Sequence, residues 1–355
     1  MSPPSELSIS VIVPVRNGGR DFLRCLSSIC ESVHPPSEII VVVDGDADDS
    51  WYLAKEFSPK VLRIPVPGGP ARARNLGARS SRGDVLFFVD ADVAVYPNAT
   101  EQIVTAFGRD PDLAALIGSY DDSPAATNFL SQYKNLLHHY VHQKASQDAS
   151  TFWGACGAVR REVFLALGGF DEGYRQSSIE DIELGYRLKK AGHKIRLCKS
   201  LQVTHLKHWG VVSLLKSDFL HRALPWTELI LRDRRFIYDL NLRLSSCISV
   251  ALTWGTLAAL AGTWWWLGFL PVAGLLTLSL LALNISLYRF FQRKRGLWFA
   301  IRTIPWHWLY YFYSGLAFAI GVARYLSHGG RRPGAHLSID TQGAPCSRQR
   351  PEPRP

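Results

Sequence analysis

The sequence lacks the cysteine patterns that bind structural zinc. Its six cysteines form no CxxC pair, and Cys25 and Cys30 fall on one predicted helix. Cysteine-bound zinc normally needs closely spaced pairs, so we expect free thiols in a reducing compartment. The N-terminal stretch MSPPSELSISVIVPV also lacks a basic region followed by an apolar run of signal-peptide length. This absence favours a first domain that stays in the cytoplasm.

Signatures of nucleic-acid binding are missing too, although the chain carries a net charge of +10. The sequence contains no basic helical stretch with interleaved aromatics, no zinc-finger spacing and no RNA-binding aromatic motif. The arginines cluster instead just before and between apolar segments near the C-terminus, which suits an anionic membrane surface better. We therefore expect a membrane partner and no nucleic acid.

A calcium loop is excluded by two missing residues in the acidic string VVVDGDADDS. Asp44, Asp46 and Asp48 fit the first three ligand positions of an EF-hand. Asp49 then stands where the loop needs glycine, and Lys55 where it needs a bidentate glutamate. A nucleotide pocket and an ordinary solvated turn remain as interpretations of the string.

The composition divides the chain into three regions. Residues 1–243 mix polar with apolar residues and hold most of the acidic groups, which is typical of a globular domain. This region ends in an amphipathic, basic stretch at about 210–235, which we expect to be an interface helix. Residues 244–326 are dominated by apolar and aromatic residues and predict a membrane region. Residues 327–355 are rich in Gly, Pro and Arg and predict a disordered basic tail.

The membrane region contains two or three candidate spans, at about 245–266, 268–290 and 305–326. Arginines precede the first and "RFFQRKRG" follows the second, so the positive-inside rule places the first domain in the cytoplasm. A third span would put the basic tail outside, against that rule. The third segment could instead be re-entrant or interfacial, but three spans are the prediction.

Short β-branched runs alternate with helical patterns through the first region, which predicts an α/β domain with a mostly parallel sheet. Two aspartate pairs, Asp44/Asp46 and Asp90/Asp92, follow directly after predicted strands. Ligands of such sheets bind beyond the carboxyl ends of the strands. The aspartates are therefore candidates for a ligand site.

Three further motifs each allow a chemical and a structural interpretation. In "FFVDADV", a D-x-D pair could hold Mg²⁺ or Mn²⁺ together with substrate phosphates, or it could be a solvated turn. In "GGPARARNLGARS", Arg72 or Arg74 could bind phosphate at a helix start, or form a basic helix face. In "SSIEDIELGYRL", one carboxylate could be a general base, or the acidic pair could stabilise the helix dipole. His205 and His208 of "VTHLKHW" are either ligands or structural residues.

In their order, these pieces resemble the family-two glycosyltransferases with the GT-A fold. The resemblance covers roughly residues 7 to 225 and rests on ISVIVPVRN, EIIVVVDGDADDS, GGPARARNLGA, DVLFFVDADV, WGACGAVRREVFLALGGFDE and EDIELGYRLKKAG. It implies a Rossmann-like, nucleotide-diphospho-sugar transferase domain and an inverting reaction that uses Mg²⁺ or Mn²⁺. The trailing apolar segments add a lipid-linked or membrane-proximal acceptor to this expectation.

The resemblance also implies roles for individual residues. Pro14, Arg16 and Asp44 would line the nucleotide base and ribose, with Arg74 on the base or phosphate side and Asp90 beside the donor. Asp92 would be the direct metal ligand, with His205 near the metal and the diphosphate. Trp153 and Gly154 would open the segment that lines the acceptor site. Asp181, which follows Glu180, would be the catalytic base. The acceptor hydroxyl would lose its proton to Asp181 and attack the anomeric carbon in line.

The sequence departs from the family pattern at two places. Val43 stands where the first of two aspartates is usual, and Asp46 follows the glycine in place of a small hydroxyl residue. The Q-x-x-R-W motif of processive members is also missing, although Arg222 and Trp226 occur in "FLHRALPW". We therefore expect transfer of one or a few sugars. A polyprenyl-phosphate sugar synthase and a catalytically inactive membrane scaffold of the same fold remain as alternatives.

Overall fold

The computed structural model describes residues 7–45, 48–58, 60–233 and 243–327. Asp46, whose role the sequence left open, lies outside these ranges. So does the predicted disordered tail, apart from Ser327, the last described residue.

Eight strands form one sheet in the order β3-β2-β1-β4-β7-β6-β8-β5. The strands are β1 (Ile9–Val15), β2 (Glu38–Asp44), β3 (Lys60–Ile64), β4 (Val85–Val89), β5 (Val93–Val95), β6 (Leu113–Tyr120), β7 (Cys156–Arg160) and β8 (Lys194–His205). The helices are α1 (Gly19–Cys30), α2 (Ser50–Phe57), α3 (Pro70–Ser80), α4 (Ala99–Arg109), α5 (Phe129–Lys144), α6 (Arg161–Ala166), α7 (Glu180–Lys190), α8 (Val211–Lys216), α9 (Leu224–Asp233), α10 (Leu244–Gly262), α11 (Phe269–Arg295) and α12 (Leu297–Ser327), with a π-helical segment, Ser217–Ala223, between α8 and α9.

The core of the first domain explains why its central strands are almost wholly apolar. Every residue of β1 and of β4 is buried, because helices cover both faces of the sheet. Helix α1 buries Phe22, Cys25, Leu26 and Ile29, whose spacing places them on one helix face. Each such side chain contributes about 1.5–3 kcal/mol on burial, so this pattern fixes which face of α1 meets the sheet.

The sheet is mixed, with a parallel half and a half that contains antiparallel pairs. Strands β3, β2, β1 and β4 are parallel, as are β6 and β8, whereas β7 is antiparallel to β4 and β6. Strand β5 is antiparallel to β8. The predicted α/β sheet is therefore confirmed, and its parallel character is strongest around β1.

The register of the parallel half brings the predicted site residues to one edge. Val15 pairs with Val43, so Arg16 and Asp44 come at neighbouring strand ends. Asp90 follows the last residue of β4, on the other side of β1. This edge is where ligands of open α/β sheets bind.

Two of the C-terminal helices, α10 and α11, are long and apolar enough to cross a membrane. The basic end of α11 contacts the first domain. Lys294 forms an ion pair with Asp122, and Arg295 Nη2 donates to the Asp122 carbonyl at 2.6 Å. The carboxyl end of α11 is therefore held on the side of the sheet domain.

Helix α12 contacts the first domain near both of its ends. The Phe299 ring lies 5.2 Å from that of Phe129 in α5, and Gly321 packs against Thr227 in α9. Between them, the Tyr313 hydroxyl donates to Asp218 Oδ2 in the π-helical segment at 2.8 Å. Helix α12 thus runs along the first domain rather than away from it.

A chain of polar side chains ties α5 to the three C-terminal helices. The Tyr133 hydroxyl lies 3.2 Å from His307 Nδ1, and His307 Nε2 lies 2.9 Å from the Tyr311 hydroxyl. Tyr311 donates to Asn284 Oδ1 at 2.8 Å, and Asn284 Nδ2 donates to Ser249 Oγ at 3.0 Å. All five residues are buried. Each of these five side chains therefore has a hydrogen-bond partner, as buried polar groups require.

Candidate active site

Asp44 fixes the glycine loop that leads into α3. Its two carboxylate oxygens accept hydrogen bonds from the backbone amides of Gly68 and Gly69, at 2.7 and 2.8 Å. Gly69 has a φ of +89°, a conformation that residues with a Cβ rarely adopt. Asp44 is buried, so it supports this loop as well as standing at the edge where the nucleotide contact was predicted. Pro14 lies in β1, and Arg16 is exposed beyond its end.

Arg74 joins two carboxylates from distant parts of the chain. Its Nη2 donates to Asp90 Oδ1 at 2.6 Å and its Nη1 to Glu180 Oε1 at 2.9 Å. Burial opposes the charge, but Asp90 and Glu180 hold the pKa of Arg74 above its ordinary value. Within the described residues, Arg74 Nε has no hydrogen-bond partner. The buried guanidinium therefore brings the D-x-D turn next to the start of α7.

Asp90 and Asp92 form the turn between β4 and β5 and remain open to solvent. Their side chains are 31 % and 32 % exposed. Asp92 lies 3.5 Å from Lys207 Nζ, whereas Asp90 is held by Arg74. Because a 3.5 Å surface pair is weak, the Asp92 carboxylate is the freer of the two to bind a cation.

His205 lies beside this turn because β8 ends against β5. His205 pairs with Val93, and the Leu206 amide donates to the Asp92 carbonyl at 2.9 Å. The imidazole is buried and stacks on Tyr120 with ring centroids 4.3 Å apart. Burial, with Lys207 nearby, lowers the pKa of His205 to about 3, so the ring is neutral near pH 7. A neutral imidazole is the form that binds metal.

The residues present fit a divalent cation that is shared with substrate phosphates. No group of three His, Cys, Asp or Glu side chains among the described residues forms a metal cluster. Mg²⁺ and Mn²⁺ sites of phosphorylated substrates typically use one or two protein carboxylates and take the remaining ligands from phosphate and water. Asp92 and His205 supply that smaller set. His208, the other candidate histidine, is exposed.

The first residues of α7 place two carboxylates in different surroundings. Glu180 is buried, and its oxygens accept from Arg74 and from the Ser178 amide at 2.8 Å. Asp181 is half-buried and accepts from the amides of Ile182 at 2.8 Å and Gly154 at 3.1 Å. Burial and the neighbouring Glu180 raise the pKa of Asp181 to about 6. Both Glu180 oxygens therefore accept hydrogen bonds from other parts of the protein. Asp181 has the pKa of a general base that works near neutral pH.

Trp153 belongs to an aromatic cluster next to Asp181. Its ring lies 4.8 Å from Tyr120 and 4.8 Å from His138, measured between centroids. Gly154 follows and donates to Asp181, and a Cβ at Gly154 would stand 3.1 Å from Arg74 Cζ. A side chain at position 154 would therefore press on the Arg74 guanidinium, which Asp90 and Glu180 hold in place.

The structure connects two sets of predicted site residues, namely Asp90, Arg74 and Glu180 in one set and Asp181 and Gly154 in the other. Arg74 links Asp90 to Glu180, and Asp181 connects to Gly154, so the D-x-D turn and the acidic pair meet. Sequence reasoning missed Tyr120 and Lys207, which contact His205 and Asp92. Tyr120 ends an apolar strand and Lys207 lies in a loop, and neither position carries a motif that would mark it.

Two parts of the chain match known protein families. Residues 10–168 match the family described as Glycosyl transferase family 2, and residues 135–209 match the one described as N-terminal domain of galactosyltransferase. The chain carries a family 2 glycosyltransferase domain. The first range contains the predicted site residues from Pro14 to Gly154, and the second contains Glu180, Asp181 and His205.

Curated relatives share a modest identity with this domain. A probable glycosyltransferase of Bacillus subtilis, YdaM, is 28% identical over 205 residues, which are 53% of this chain and 48% of that protein. The O-antigen chain rhamnosyltransferase WbaN of Salmonella anatum is 25% identical over 237 residues, 62% of this chain and 74% of that protein. The chain spans only about a third to a half of the length of several curated relatives that it matches.

A solved structure shows the same fold over most of the chain. The mannosyltransferase PcManGT from Pyrobaculum calidifontis, solved with GDP-Man and Mn²⁺, has a TM-score of 0.55 and 16% sequence identity. The match covers 88% of this chain and 87% of that one. The mixed α/β sheet is thus typical of the GT-A fold, and the C-terminal helices follow it.

Proposed function

We propose that the protein is a membrane-anchored inverting glycosyltransferase. It moves a sugar from a nucleotide-diphosphate donor to a hydroxyl of a lipid-linked or cell-envelope glycan, one or a few sugars at a time. The observation that carries this proposal is the meeting of Asp90, Arg74, Glu180 and Asp181 at the carboxyl edge of the sheet. The similarity to an O-antigen rhamnosyltransferase supports an envelope acceptor.

The proposed reaction is one displacement at the anomeric carbon. The acceptor oxygen forms a bond to that carbon, its proton goes to Asp181, and the bond to the nucleotide diphosphate breaks on the opposite face. Asp92 and His205 would hold Mg²⁺ or Mn²⁺, which neutralises negative charge on the leaving diphosphate when it is bound. Glu180 and Arg74 keep the start of α7 against the D-x-D turn, so that Asp181 stays aligned.

A donor screen tests this proposal. Nucleotide sugars that bind should raise the melting temperature of the full chain, and the rise should be larger with Mn²⁺. Asp92→Ala should abolish the Mn²⁺-dependent part, whereas Asp112→Asn, an exposed acid between α4 and β6, should retain it. If no nucleotide sugar changes the melting temperature, the inactive-scaffold alternative is favoured.

A polyprenyl-phosphate sugar synthase is the second candidate, because α10 and α11 suit a membrane enzyme. A phosphate acceptor is already ionised and needs little help from a base. Asp181→Asn separates the two reactions. With a hydroxyl acceptor turnover should fall by at least a hundredfold, and with a phosphate acceptor by much less.

We also propose that the first domain faces the cytoplasm and that α10 and α11 form a helical hairpin in the membrane. The basic residues at the end of α11 support this orientation, since cytoplasmic ends carry an excess of Lys and Arg. Contacts of α12 with α5, the π-helical segment and α9 support an interfacial position for this helix. Three spans, the prediction from the sequence, is the alternative.

A further inference from the structure

A cavity of about 670 Å³ lies between the first domain and the C-terminal helices. Its lining comes from α5, the π-helical segment, α9, α10 and α12, and is mostly apolar and aromatic. The apolar part includes Leu137, Ile230, Val250, Trp254 and Phe318. Its volume is within the range of about 300–1,000 Å³ found for small-molecule sites.

The charged side chains that line one end of the cavity carry a net positive charge. Lys134, Asp218 and Arg222 all line it. Lys134 Nζ donates to Asp218 Oδ1 at 2.5 Å, and Asp218 Oδ2 accepts from Tyr313, so these two charges neutralise each other. The Arg222 guanidinium has no hydrogen bond or salt bridge with another described residue. Its guanidinium, with five donors in a planar fork, is suited to phosphate.

The charged end of the cavity adjoins the acceptor half of the active site. His138 lines the cavity and also packs on Trp153, with ring centroids 4.8 Å apart. The next residue, Gly154, donates to Asp181. Arg222 itself is within electrostatic range of both Asp218 and Asp181, which raise the pKa of Arg222 against the effect of burial. A head group held at Arg222 would therefore lie on the side of the cavity that faces the Trp153–Gly154 segment and Asp181.

We propose that this cavity is the acceptor site and that it binds one lipid whose single apolar chain is joined to a phosphate or diphosphate. The chain occupies the apolar space between α10 and α12, and Arg222 binds the phosphate. The group that receives the sugar extends past His138 to Asp181. This inference rests on the proposed function, and it adds the chemical class of the acceptor and the residue that selects it.

Binding of three probes to the purified full chain tests the inference. Farnesyl phosphate has both the chain and the phosphate, farnesol has only the chain, and inorganic phosphate lacks the chain. Farnesyl phosphate should bind most tightly in a calorimetric titration. Arg222→Gln should weaken it at least tenfold while the affinity for farnesol changes less than twofold, and Arg222→Lys should restore part of the loss.

A matched pair of variants tests the position of the chain. Ala251 and Ala258 of α10 are both exposed, but only Ala251 lines the cavity. Ala251→Trp should weaken farnesyl phosphate and farnesol at least tenfold, and Ala258→Trp should leave both unchanged. Donor hydrolysis should be equal in the two variants, so that loss of lipid binding is distinguished from failure of the glycosyltransferase proposal.

Three outcomes would overturn the inference. In the first, Ala251→Trp binds farnesyl phosphate as well as the parent protein does. In the second, Arg222→Gln raises the KM for the nucleotide sugar but leaves lipid binding intact, which would assign Arg222 to the donor. In the third, native mass spectrometry finds a bilayer phospholipid that farnesyl phosphate does not displace, which would make the cavity a structural lipid site.

Discussion

At the scale of single residues, Asp181 has an environment different from that of an ordinary surface aspartate. Burial and Glu180 raise its pKa to about 6, while the Gly154 amide, Arg74 and Arg222 act in the opposite direction. The carboxyl is thus poised near neutral pH, where proton acceptance from an acceptor hydroxyl is most effective. Glu180, paired with Arg74, supplies negative charge without itself being available as a base.

The pKa of Asp181 predicts the acid limb of the pH–rate profile. A general base acts only when deprotonated, so kcat/KM should be level above about pH 7, half-maximal near pH 6, and fall about tenfold per unit at lower pH. The measurement is a kcat/KM profile from pH 4.5 to 8 with saturating metal. An acid limb centred near pH 4 would show that Asp181 is not perturbed or is not the base.

Replacing Asp44 should lower the stability of the glycine loop, because both carboxylate oxygens accept hydrogen bonds from backbone amides. Asp44→Asn would turn one acceptor into a donor that faces an amide N–H. Hydrogen bonds to charged groups contribute about 1.5–3 kcal/mol, so the variant should lose about that much stability. Its donor KM should also rise, because the loop at Gly68 and Gly69 would loosen.

Thermal unfolding and donor kinetics of Asp44→Asn check this prediction. Asp112→Asn provides the control, since Asp112 is an exposed acid between α4 and β6. An unchanged melting temperature together with a raised donor KM would indicate that Asp44 contacts the nucleotide and does not support the loop.

At the scale of elements, the polar chain from Tyr133 to Ser249 fixes the packing of α10, α11 and α12 against α5. Tyr311→Phe removes the hydroxyl that bridges His307 and Asn284. Polar contacts between membrane helices average about 0.6 kcal/mol and reach about 2 kcal/mol. We expect a loss of about 1 kcal/mol, measured as a lower melting temperature in detergent.

Tyr325→Phe is the matched control on α12. Among the described residues, the Tyr325 hydroxyl has no hydrogen-bond partner, so its removal should not alter the melting temperature. Equal effects of the two substitutions would contradict a specific role for the polar chain in helix packing.

The sequence predicted those parts of the fold and site that depend on local patterns. Apolar runs located β1, β2 and β4, and the aspartates that follow them lie at one edge of the sheet, as expected. Arg74 forms hydrogen bonds with Asp90, 16 positions away in the sequence, and with Glu180, 106 positions away. Such contacts depend on tertiary packing, so periodicity could not reveal them. The cavity between α5, α10 and α12 was unpredictable for the same reason.

At the scale of the whole molecule, the first domain and the C-terminal helices are joined by ion pairs, hydrogen bonds and aromatic contacts. The proposed two-span arrangement predicts that both ends of the chain lie on one side of the membrane. Tags at the N-terminus and after Pro355 should be equally accessible to protease in sealed vesicles of one orientation. Opposite accessibility would establish an odd number of spans and make α12 the third.

The central claim is that Asp181 and Asp92 carry out sugar transfer from a nucleotide donor. Release of nucleoside diphosphate by the purified chain, with Mn²⁺ and the donor found by screening, tests it most directly. We predict acceptor-dependent release that Asp92→Ala and Asp181→Asn each reduce at least a hundredfold, while Asp112→Asn leaves it unchanged. Release that proceeds at the same rate in Asp181→Asn and Asp92→Ala would contradict the account.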